Sequence, residues 1–328
     1  MGSFYARILK ESPSAELVAV CGRSEERSQK VGQDLGVPAY ADAAVDRLIE
    51  EHEGLDAVII ATPEAEHVEP AQAALEAGAH VLIEKPLGAN AEAAKRIIGL
   101  AERHGRMLMV CHHLRFDHRY YNLRTAVREG ALGEIINVYA RRNPVSSSAS
   151  RIGGRVAAPY WVGVHDIDLV HWITGKRCVK VFAKSAGSSM RDLGVDDCIL
   201  STITLEDGSL FLLENSWATP PTGGNPRSFL MSVRGSKGVG EVEAYQHGFS
   251  VYTSNGDVIS NSGQIQFFPD LYGRATGIYR DMIEHFLDRV RAGEEPVITG
   301  EDGLAAVRVA DAIMESLRAG QEVEVSWA

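Results

Sequence analysis

The chain has 328 residues, of which 45% are hydrophobic and 23% charged, and its formal net charge is −11. This length exceeds one ordinary core and predicts two domains with the composition of a soluble globular protein. The acidic balance, without any block of Lys or Arg, argues against nucleic acid and against an anionic membrane surface as partners. Because no stretch approaches the ~18–20 apolar residues of a membrane span and the start lacks the features of a secretory signal, we expect a cytoplasmic protein.

Cysteine usage and histidine spacing both argue against a metal site. The chain has four cysteines, scattered without any Cys-x-x-Cys spacing: Cys21, Cys111, Cys178 and Cys198. Three of them lie in apolar, strand-like contexts, which predicts small buried side chains in a reducing compartment. His165, Asp168 and His171 are three apart throughout, which spreads the outer two around a helix. The sequence therefore predicts no metal.

Residues 1–118 are predicted to alternate between strand and helix. The predicted strands are 17–22, 57–63, 81–87 and 106–116, and the predicted helices are 3–11, 24–36, one within 39–56, 64–80 and 90–105. Short apolar runs are typical of buried parallel strands, and Ser24 is a candidate N-cap for the second helix. The alternation with short connections predicts a doubly wound parallel sheet, so 1–118 is interpreted as a Rossmann-like dinucleotide-binding domain of α/β class.

After residue 118 the regular alternation of strand and helix ends, and segments with a period of two residues follow. Residues 119–328 are therefore predicted to form an α+β substrate and oligomerisation domain with a mostly antiparallel open sheet. Its predicted helices are 119–131, 164–174, 277–292 and 302–319. The sequences EDGS at 206–209 and SNGD at 254–257 predict hairpin turns. The small-residue-rich stretch 143–158 is expected to be a loop, either a plain surface loop or a lid over a substrate.

The chain begins Met1-Gly2-Ser3-Phe4 and passes directly into its first predicted helix. A dinucleotide-binding unit opens with strand, Gly-x-Gly-x-x-Gly and helix, and the residue that reads the ribose follows about 20 residues later. Gly22 ends the next strand at that spacing, so Gly2 is predicted to be the last glycine of the fingerprint, with the first strand and two glycines upstream of Met1. The alternative is a fold that starts with a helix.

Two further segments place polar groups where strands end. Ala61 and Thr62 close one apolar strand and Pro63 terminates it, at the edge where open α/β sheets bind ligands. Glu84 and Lys85 close the next strand in the same way. A partly desolvated lysine there suits acid–base chemistry or the binding of a substrate hydroxyl, and the alternatives are an ordinary strand-to-helix turn and a solvated lysine.

The order of these motifs resembles one family. ATPxxxH at 61–67, EKP at 84–86, a strand that ends before Arg-Phe, and GVHDIDLVHWITG at 163–175 are similar to the glucose–fructose oxidoreductase/inositol dehydrogenase/rhizopine catabolism (Gfo/Idh/MocA) oxidoreductases over essentially the whole chain. The resemblance implies an NAD(P)-dependent enzyme that transfers hydride between a secondary alcohol of a sugar, sugar derivative or inositol and nicotinamide. It also implies a homo-oligomer, dimer or tetramer, that uses the open sheet of the second domain.

The resemblance implies that Lys85 and His165 meet at the nicotinamide, with His113 near its ring. We expect His165 to act as the base and Lys85 as its electrostatic partner, with exchangeable roles, because alcohol oxidation needs a group that takes the hydroxyl proton. The residues predicted to bind cofactor are Gly2, Arg23, Ser24, Ala61, Thr62, Pro63, His67, Glu84, Lys85 and His113. His67 has a purely structural alternative.

Substrate binding is predicted for Lys85, Trp161, His165 and Asp168. Asp168 shares a helix face with His165, and its alternative role is to orient His165 or to cap a neighbouring group. Trp161 departs from the family, many of whose members have an aspartate four residues before the histidine. Its indole is expected either to stack on a sugar ring or to fill core space.

The segment Gly22-Arg23-Ser24 bears on cofactor choice. An NAD-specific site has an acidic residue here, whereas arginine beside a hydroxyl suits the 2′-phosphate of NADP. NADP is therefore favoured over NAD. Two alternatives to a dehydrogenase remain open: an epimerase or glycosidase that retains its cofactor, and a non-catalytic sensor or scaffold on the same fold.

Overall fold

The computed structural model describes residues 1–41, 45–152, 154–220, 227–244, 250–252, 258–260 and 269–328. The chain divides into two compact units, one of Met1–His113 with Phe268–Leu304 and the other of Leu114–Phe267 with Ala305–Ala328. The predicted turn at 254–257 lies outside the described residues.

The described residues contain ten α-helices and sixteen strands. The helices are α1 (Gly2–Glu11), α2 (Glu25–Leu35), α3 (Val45–Glu51), α4 (Val68–Glu76), α5 (Ala91–His104), α6 (His118–Arg128), α7 (Ser146–Ile152), α8 (Val164–Thr174), α9 (Ile278–Ala292) and α10 (Gly300–Ala319). The strands are β1 (Val20–Cys21), β2 (Ala39–Tyr40), β3 (Ala57–Ile60), β4 (His80–Ile83), β5 (Leu108–Val110), β6 (Ile135–Asn143), β7 (Cys178–Ala186), β8 (Cys198–Leu205), β9 (Leu210–Ser216), β10 (Ser228–Gly235), β11 (Val239–Glu243), β12 (Ser250–Tyr252), β13 (Val258–Ser260), β14 (Asp270–Leu271), β15 (Arg274–Ala275) and β16 (Val323–Glu324).

Strands β1 to β5 of the first unit pair in parallel, as predicted, whereas the short strands β14 and β15 of the same unit pair antiparallel. β1 pairs with β2, and β3, β4 and β5 form a second sheet in that order. Within the described residues these two sheets are not hydrogen-bonded to each other, so β1 and β3 each have one unpaired edge. β4 is the best buried strand, because Val81, Leu82 and Ile83 are fully inaccessible. Such all-apolar strands form where both faces of a parallel sheet are covered.

The second unit is built on a seven-stranded sheet with the order β11-β10-β6-β9-β8-β7-β16. Every pairing is antiparallel except that of β6 with β9. One face is buried, and α8 packs on it at β6, where Val138 and Ala140 are fully inaccessible. The two units thus confirm the predicted class: a Rossmann-like parallel sheet followed by an α+β domain with a mostly antiparallel sheet.

Local signals placed several boundaries correctly. Ser24 caps α2, its hydroxyl accepting the backbone N–H of Arg27 at 3.4 Å, and the helix ends at Gly36 with φ +66°. The EDGS turn joins β8 to β9, with Gly208 at φ +86°. Three cysteines were expected to be buried, but only Cys111 and Cys178 are; Cys198 is half-buried and Cys21 is exposed, and all four are free thiols.

Several local predictions were wrong. The stretch 143–158, predicted as a loop, contains α7, which buries Ala149 and Ile152 against Trp217. The strand predicted over 81–87 ends at Ile83, and Pro86, which has no N–H for a ladder hydrogen bond, is incompatible with its extension to residue 87. The strand predicted over 106–116 ends at Val110 and is followed by a 3₁₀ turn, His113–Phe116.

The helix predicted over 64–80 is divided into a 3₁₀ turn, Glu64–Glu66, and α4. A continuous α-helix would need the N–H of residue 70 to bond the Glu66 carbonyl, and Pro70 has none. The Thr62 hydroxyl donates to the Glu66 carbonyl instead, at 3.1 Å. In the part of the chain described, no helix has both the length and the apolar character that a membrane crossing requires.

Candidate active site

The first helix begins beside the end of β3. A Cβ placed on Gly2 would lie 3.8 Å from the Cβ of Ala61. Met1 is the N-cap residue of α1 and makes no side-chain capping hydrogen bond. A helix N-terminus offers backbone N–H groups and a partial positive charge, which suit a phosphate group. This helix end, with Gly2 as its first residue, fits the diphosphate of a dinucleotide.

The turn after β3 is held by its own polar groups. His67 is fully inaccessible, with Nδ1 3.2 Å from the Leu87 carbonyl and Nε2 3.1 Å from the Thr62 carbonyl. Burial lowers the pKa of His67, so the neutral ring donates to only one of these oxygens. The His67 ring therefore lies between the turn after β3 and the segment that follows Lys85. This arrangement is consistent with a structural role for His67.

The segment after β1 holds the residues predicted to read the ribose. The Ser24 hydroxyl is used as the cap of α2. The Arg23 guanidinium forms an ion pair with Glu66, with Nη2 2.7 Å from Oε1. Both side chains are exposed, at 69% and 45%. Sequence patterns missed Glu66, because no local spacing relates it to Arg23.

The carboxyl end of β4 places Glu84 in a buried position next to Lys85. Tyr5 of α1 donates a hydrogen bond to Oε1 of Glu84, and the backbone N–H of Lys85 lies 3.1 Å from Oε2. Burial and the Glu84 carboxylate raise the pKa of Tyr5, which keeps its hydroxyl protonated as a donor. The Lys85 side chain is half-buried. Tyr5 carries no sequence signal for this contact.

His113 follows β5 and stacks on Tyr279 of α9. The ring centroids are 4.3 Å apart with an interplanar angle of 28°, and the Tyr279 hydroxyl is 3.3 Å from Nε2 of His113. Both residues are buried. The stack and the polar contact restrain the orientation of the imidazole. The sequence predicted His113 as a site residue but had no signal for Tyr279.

In the second unit, α8 holds His165 among buried side chains. One turn later, Asp168 forms a bidentate pair with Arg115, with Nε–Oδ2 at 3.0 Å and Nη2–Oδ1 at 2.6 Å. Both partners are at most 5% exposed. The pair corresponds to the alternative in which Asp168 binds a neighbouring group. It also fixes the face of α8 that contains His165.

A second buried pair anchors the same helix. Arg142 of β6 binds Asp166 through Nε–Oδ2 at 2.8 Å and Nη2–Oδ1 at 2.7 Å. Neither side chain is more than 3% exposed. Because removing one partner of such a pair leaves an uncompensated buried charge, the two pairs hold α8 firmly in this unit.

Trp161 lies in a π-helical turn, Pro159–Gly163, that leads into α8. Its ring packs on Trp217 at 5.0 Å and 37°, and the Arg151 guanidinium lies 6.0 Å from its centroid. It borders a small core cluster but is itself only half-buried. One side of the Trp161 ring therefore packs against the core, and part of the ring remains exposed.

The structure gathers the predicted residues in two sets. Gly2, Ala61, Thr62, Glu84 and Lys85 lie at the α1 N-terminus and the ends of β3 and β4, all in the first unit. Trp161, His165 and Asp168 lie on α8 and the turn before it, in the second unit. Among the described residues, no three His, Cys, Asp or Glu side chains come together as metal ligands.

Comparison with protein families gives matches over most of the chain. Residues 1–112 match the model of an oxidoreductase family with an NAD-binding Rossmann fold, and residues 124–325 match the model of an oxidoreductase family C-terminal alpha/beta domain. The C-terminal match includes the α8 segment with His165.

Individual relatives are similar over almost their full lengths. A myo-inositol 2-dehydrogenase of Thermotoga maritima is 28% identical over 334 residues, 99% of this chain and 96% of the relative. A D-xylose 1-dehydrogenase (NADP(+)) of Haloferax volcanii is 28% identical, covering 94% of this chain and 92% of the relative. The crystal structure of a Lactobacillus casei scyllo-inositol dehydrogenase, with NAD(H) and scyllo-inositol bound, superposes with a TM-score of 0.82 at 22% identity, covering 99% and 96% of the two chains. At that identity the last match shows the fold.

Proposed function

The chain belongs to the oxidoreductase family with an NAD-binding Rossmann fold, and we propose that it transfers hydride between a secondary alcohol of a sugar, sugar derivative or inositol and nicotinamide. The main support is the placement of the α1 N-terminus at the end of β3, beside the strand end that holds Lys85. The relatives named as inositol and xylose dehydrogenases support the substrate class.

We assign His165 the role of base and Lys85 that of electrostatic partner. The nicotinamide, when bound, accepts or returns the hydride. An imidazole suits removal of a hydroxyl proton near neutral pH, and an ammonium group stabilises the alkoxide that develops. Asp168 supports His165 through its pair with Arg115, and the exposed part of the Trp161 ring is available to a sugar face.

The dinucleotide would be held by the first unit. The α1 N-terminus at Gly2 suits the diphosphate, and Glu84 and His113 are proposed to lie near the nicotinamide. Arg23 replaces the acidic residue of an NAD-specific site, which favours NADP, while NAD remains the alternative.

Two further properties belong to this proposal. The four free thiols support a reducing compartment, and we propose the cytoplasm. The open face of the seven-stranded sheet has exposed apolar side chains, which supports a homo-oligomer.

The deciding experiment is a titration of NADPH and of NADH into the chain, followed by quenching of its four tryptophans. Tight binding of either supports the cofactor site. The titration is repeated with a short strand-forming extension ahead of Met1, because β1 and β3 each have an unpaired edge. If neither the chain nor its extended form binds NADPH or NADH, the proposed dehydrogenase activity is overturned, and the non-catalytic sensor or scaffold remains.

A polyol and sugar screen then separates the enzymatic alternatives. For a dehydrogenase, NADH or NADPH accumulates in proportion to product, and Lys85→Ala and His165→Ala abolish turnover. Cofactor binding persists in His165→Ala, because His165 is not among the proposed cofactor-binding residues. His118→Ala is the control for the second variant, because His118 is exposed on α6. Product without accumulation of reduced nicotinamide would indicate an epimerase or glycosidase with retained cofactor.

A further inference from the structure

Arg23 and Glu66 form an ion pair that joins the segments after β1 and β3. Nη2 of Arg23 lies 2.7 Å from Oε1 of Glu66. Within the described residues these two strands are not hydrogen-bonded to each other. The pair therefore connects the ends of two separate parallel sheets on the side where open α/β sheets bind ligands.

The position of Glu66 is set by its turn and does not depend on Arg23. The Thr62 hydroxyl donates to the Glu66 carbonyl at 3.1 Å, and the buried ring of His67 lies against two backbone carbonyls. Pro70 prevents the turn from becoming part of α4. The carboxylate is thus presented to Arg23 by a preorganised backbone.

The Arg23 side chain, in contrast, is free to change partner at small cost. It is 69% exposed, and its pairing with Glu66 is of the exposed kind that contributes little to stability. A phosphate offers guanidinium a bidentate partner of higher charge than a carboxylate. A ribose 2′-hydroxyl offers Arg23 no negative charge, but it can donate a hydrogen bond to Glu66.

We infer that Glu66 is a specificity-determining residue that competes with the 2′-phosphate of NADP(H) for Arg23. This inference rests on the proposed dinucleotide site. Arginine alone would favour NADP(H) strongly. With Glu66 paired to it, part of that preference is cancelled, because the carboxylate both occupies the guanidinium and repels the phosphate. The pair consequently gives the chain a site that accepts both dinucleotides.

The test compares the dissociation constants of NADPH and NADH, measured by tryptophan quenching at low ionic strength, in the wild type and four variants. Glu66→Gln should raise the preference for NADPH about two- to fivefold, the factor to which an exposed ion pair usually amounts. Glu69→Gln removes the same charge from an exposed position three residues later and should leave the ratio unchanged. Arg23→Gln should weaken NADPH binding selectively.

The double variant Arg23→Gln/Glu66→Gln tests whether Glu66 acts through Arg23. In a double-mutant cycle, Glu66→Gln should then have no effect on the ratio once Arg23 is gone. The effect of Glu66→Gln should also shrink at about 0.5 M salt, because exposed charges are screened. Urea unfolding midpoints close to wild type show that all four variants fold.

The outcomes separate this inference from the proposed function. Binding of both dinucleotides with a ratio unchanged by Glu66→Gln, or changed equally with and without Arg23, overturns the role of Glu66 and leaves the oxidoreductase assignment intact. Failure of wild type and variants to bind either dinucleotide overturns the proposed site and the inference together.

Discussion

Tyr5 donates a hydrogen bond to Glu84 across 79 positions of sequence. Tyr5 lies on α1, whose N-terminus is the proposed diphosphate site, and Glu84 immediately precedes Lys85. The second carboxylate oxygen of Glu84 accepts the backbone N–H of Lys85 at 3.1 Å. One buried carboxylate therefore links the proposed diphosphate helix to the backbone of the proposed catalytic lysine.

Tyr5→Phe should destabilise the chain, because it leaves a buried carboxylate oxygen without its donor while keeping the ring. We expect the free energy of unfolding, measured by urea denaturation, to fall by about 1–3 kcal/mol. Tyr272→Phe is the matched control, since Tyr272 is fully exposed, and its effect should stay within ~0.5 kcal/mol. Equal effects of the two substitutions would contradict a stabilising role for the Tyr5–Glu84 bond.

The Arg115–Asp168 pair predicts strong non-additivity. Asp168→Ala should reduce the free energy of unfolding by about 3–5 kcal/mol, because a buried guanidinium loses its counter-charge. The double substitution Arg115→Met/Asp168→Leu removes both charges and should cost clearly less. Thermal or urea unfolding of the two variants measures the difference. A double variant as unstable as Asp168→Ala would show that the unpaired guanidinium is not the main cause of the lost unfolding free energy.

His67 predicts a loss of stability in mild acid. Burial lowers its pKa below the ordinary value of 6.5, so the unfolded chain takes up a proton that the folded chain resists. Its contribution is complete above about pH 6.5 and is lost as the pH falls towards the folded pKa. Burial lowers the pKa of His80 and His285 in the same direction.

His67→Gln should therefore reduce the slope of unfolding free energy against pH below about 6.5, while His80 and His285 preserve part of it. Urea unfolding at a series of pH values from 5 to 8, about the range over which histidines titrate, provides the measurement. A slope identical to that of wild type would mean that His67 takes up its proton equally in both states.

The open face of the seven-stranded sheet predicts the site of self-association. Strand register places Phe182, Thr202 and Leu212 in one row across β7, β8 and β9, and Leu200 lies on the same face. The three apolar side chains are 37–48% exposed. Leu212→Lys should shift the mass measured by light scattering towards the monomer, because it would bury a charge in the interface.

Val297→Lys is the control for that prediction, since it adds the same charge at an exposed position of the other unit. It should leave the mass unchanged. A wild-type chain that is already monomeric at micromolar concentrations would overturn the proposed oligomer.

The sequence determined the local structure of this protein and the positions of its candidate motifs. Apolar periodicity identified strands and helices, Ser24 identified the start of α2, and the EDGS turn identified the β8–β9 hairpin, because each signal lies within a few residues of the structure it specifies. Motif order also singled out Lys85 and His165, whose catalytic roles stay predictions.

Tertiary structure alone decided which polar groups became partners. Tyr5 with Glu84, Arg115 with Asp168 and Arg23 with Glu66 are separated by many residues, so no periodic pattern relates them. α7 likewise formed where small residues suggested a loop. The burial of Ala149 and Ile152 against Trp217 stabilises this helix more than the weak local preference of its small residues for a loop opposes it. Local preferences come from neighbours along the chain. Ion pairs and buried hydrogen bonds form only where the fold brings a donor and an acceptor atom from distant segments to within about 3 Å of each other.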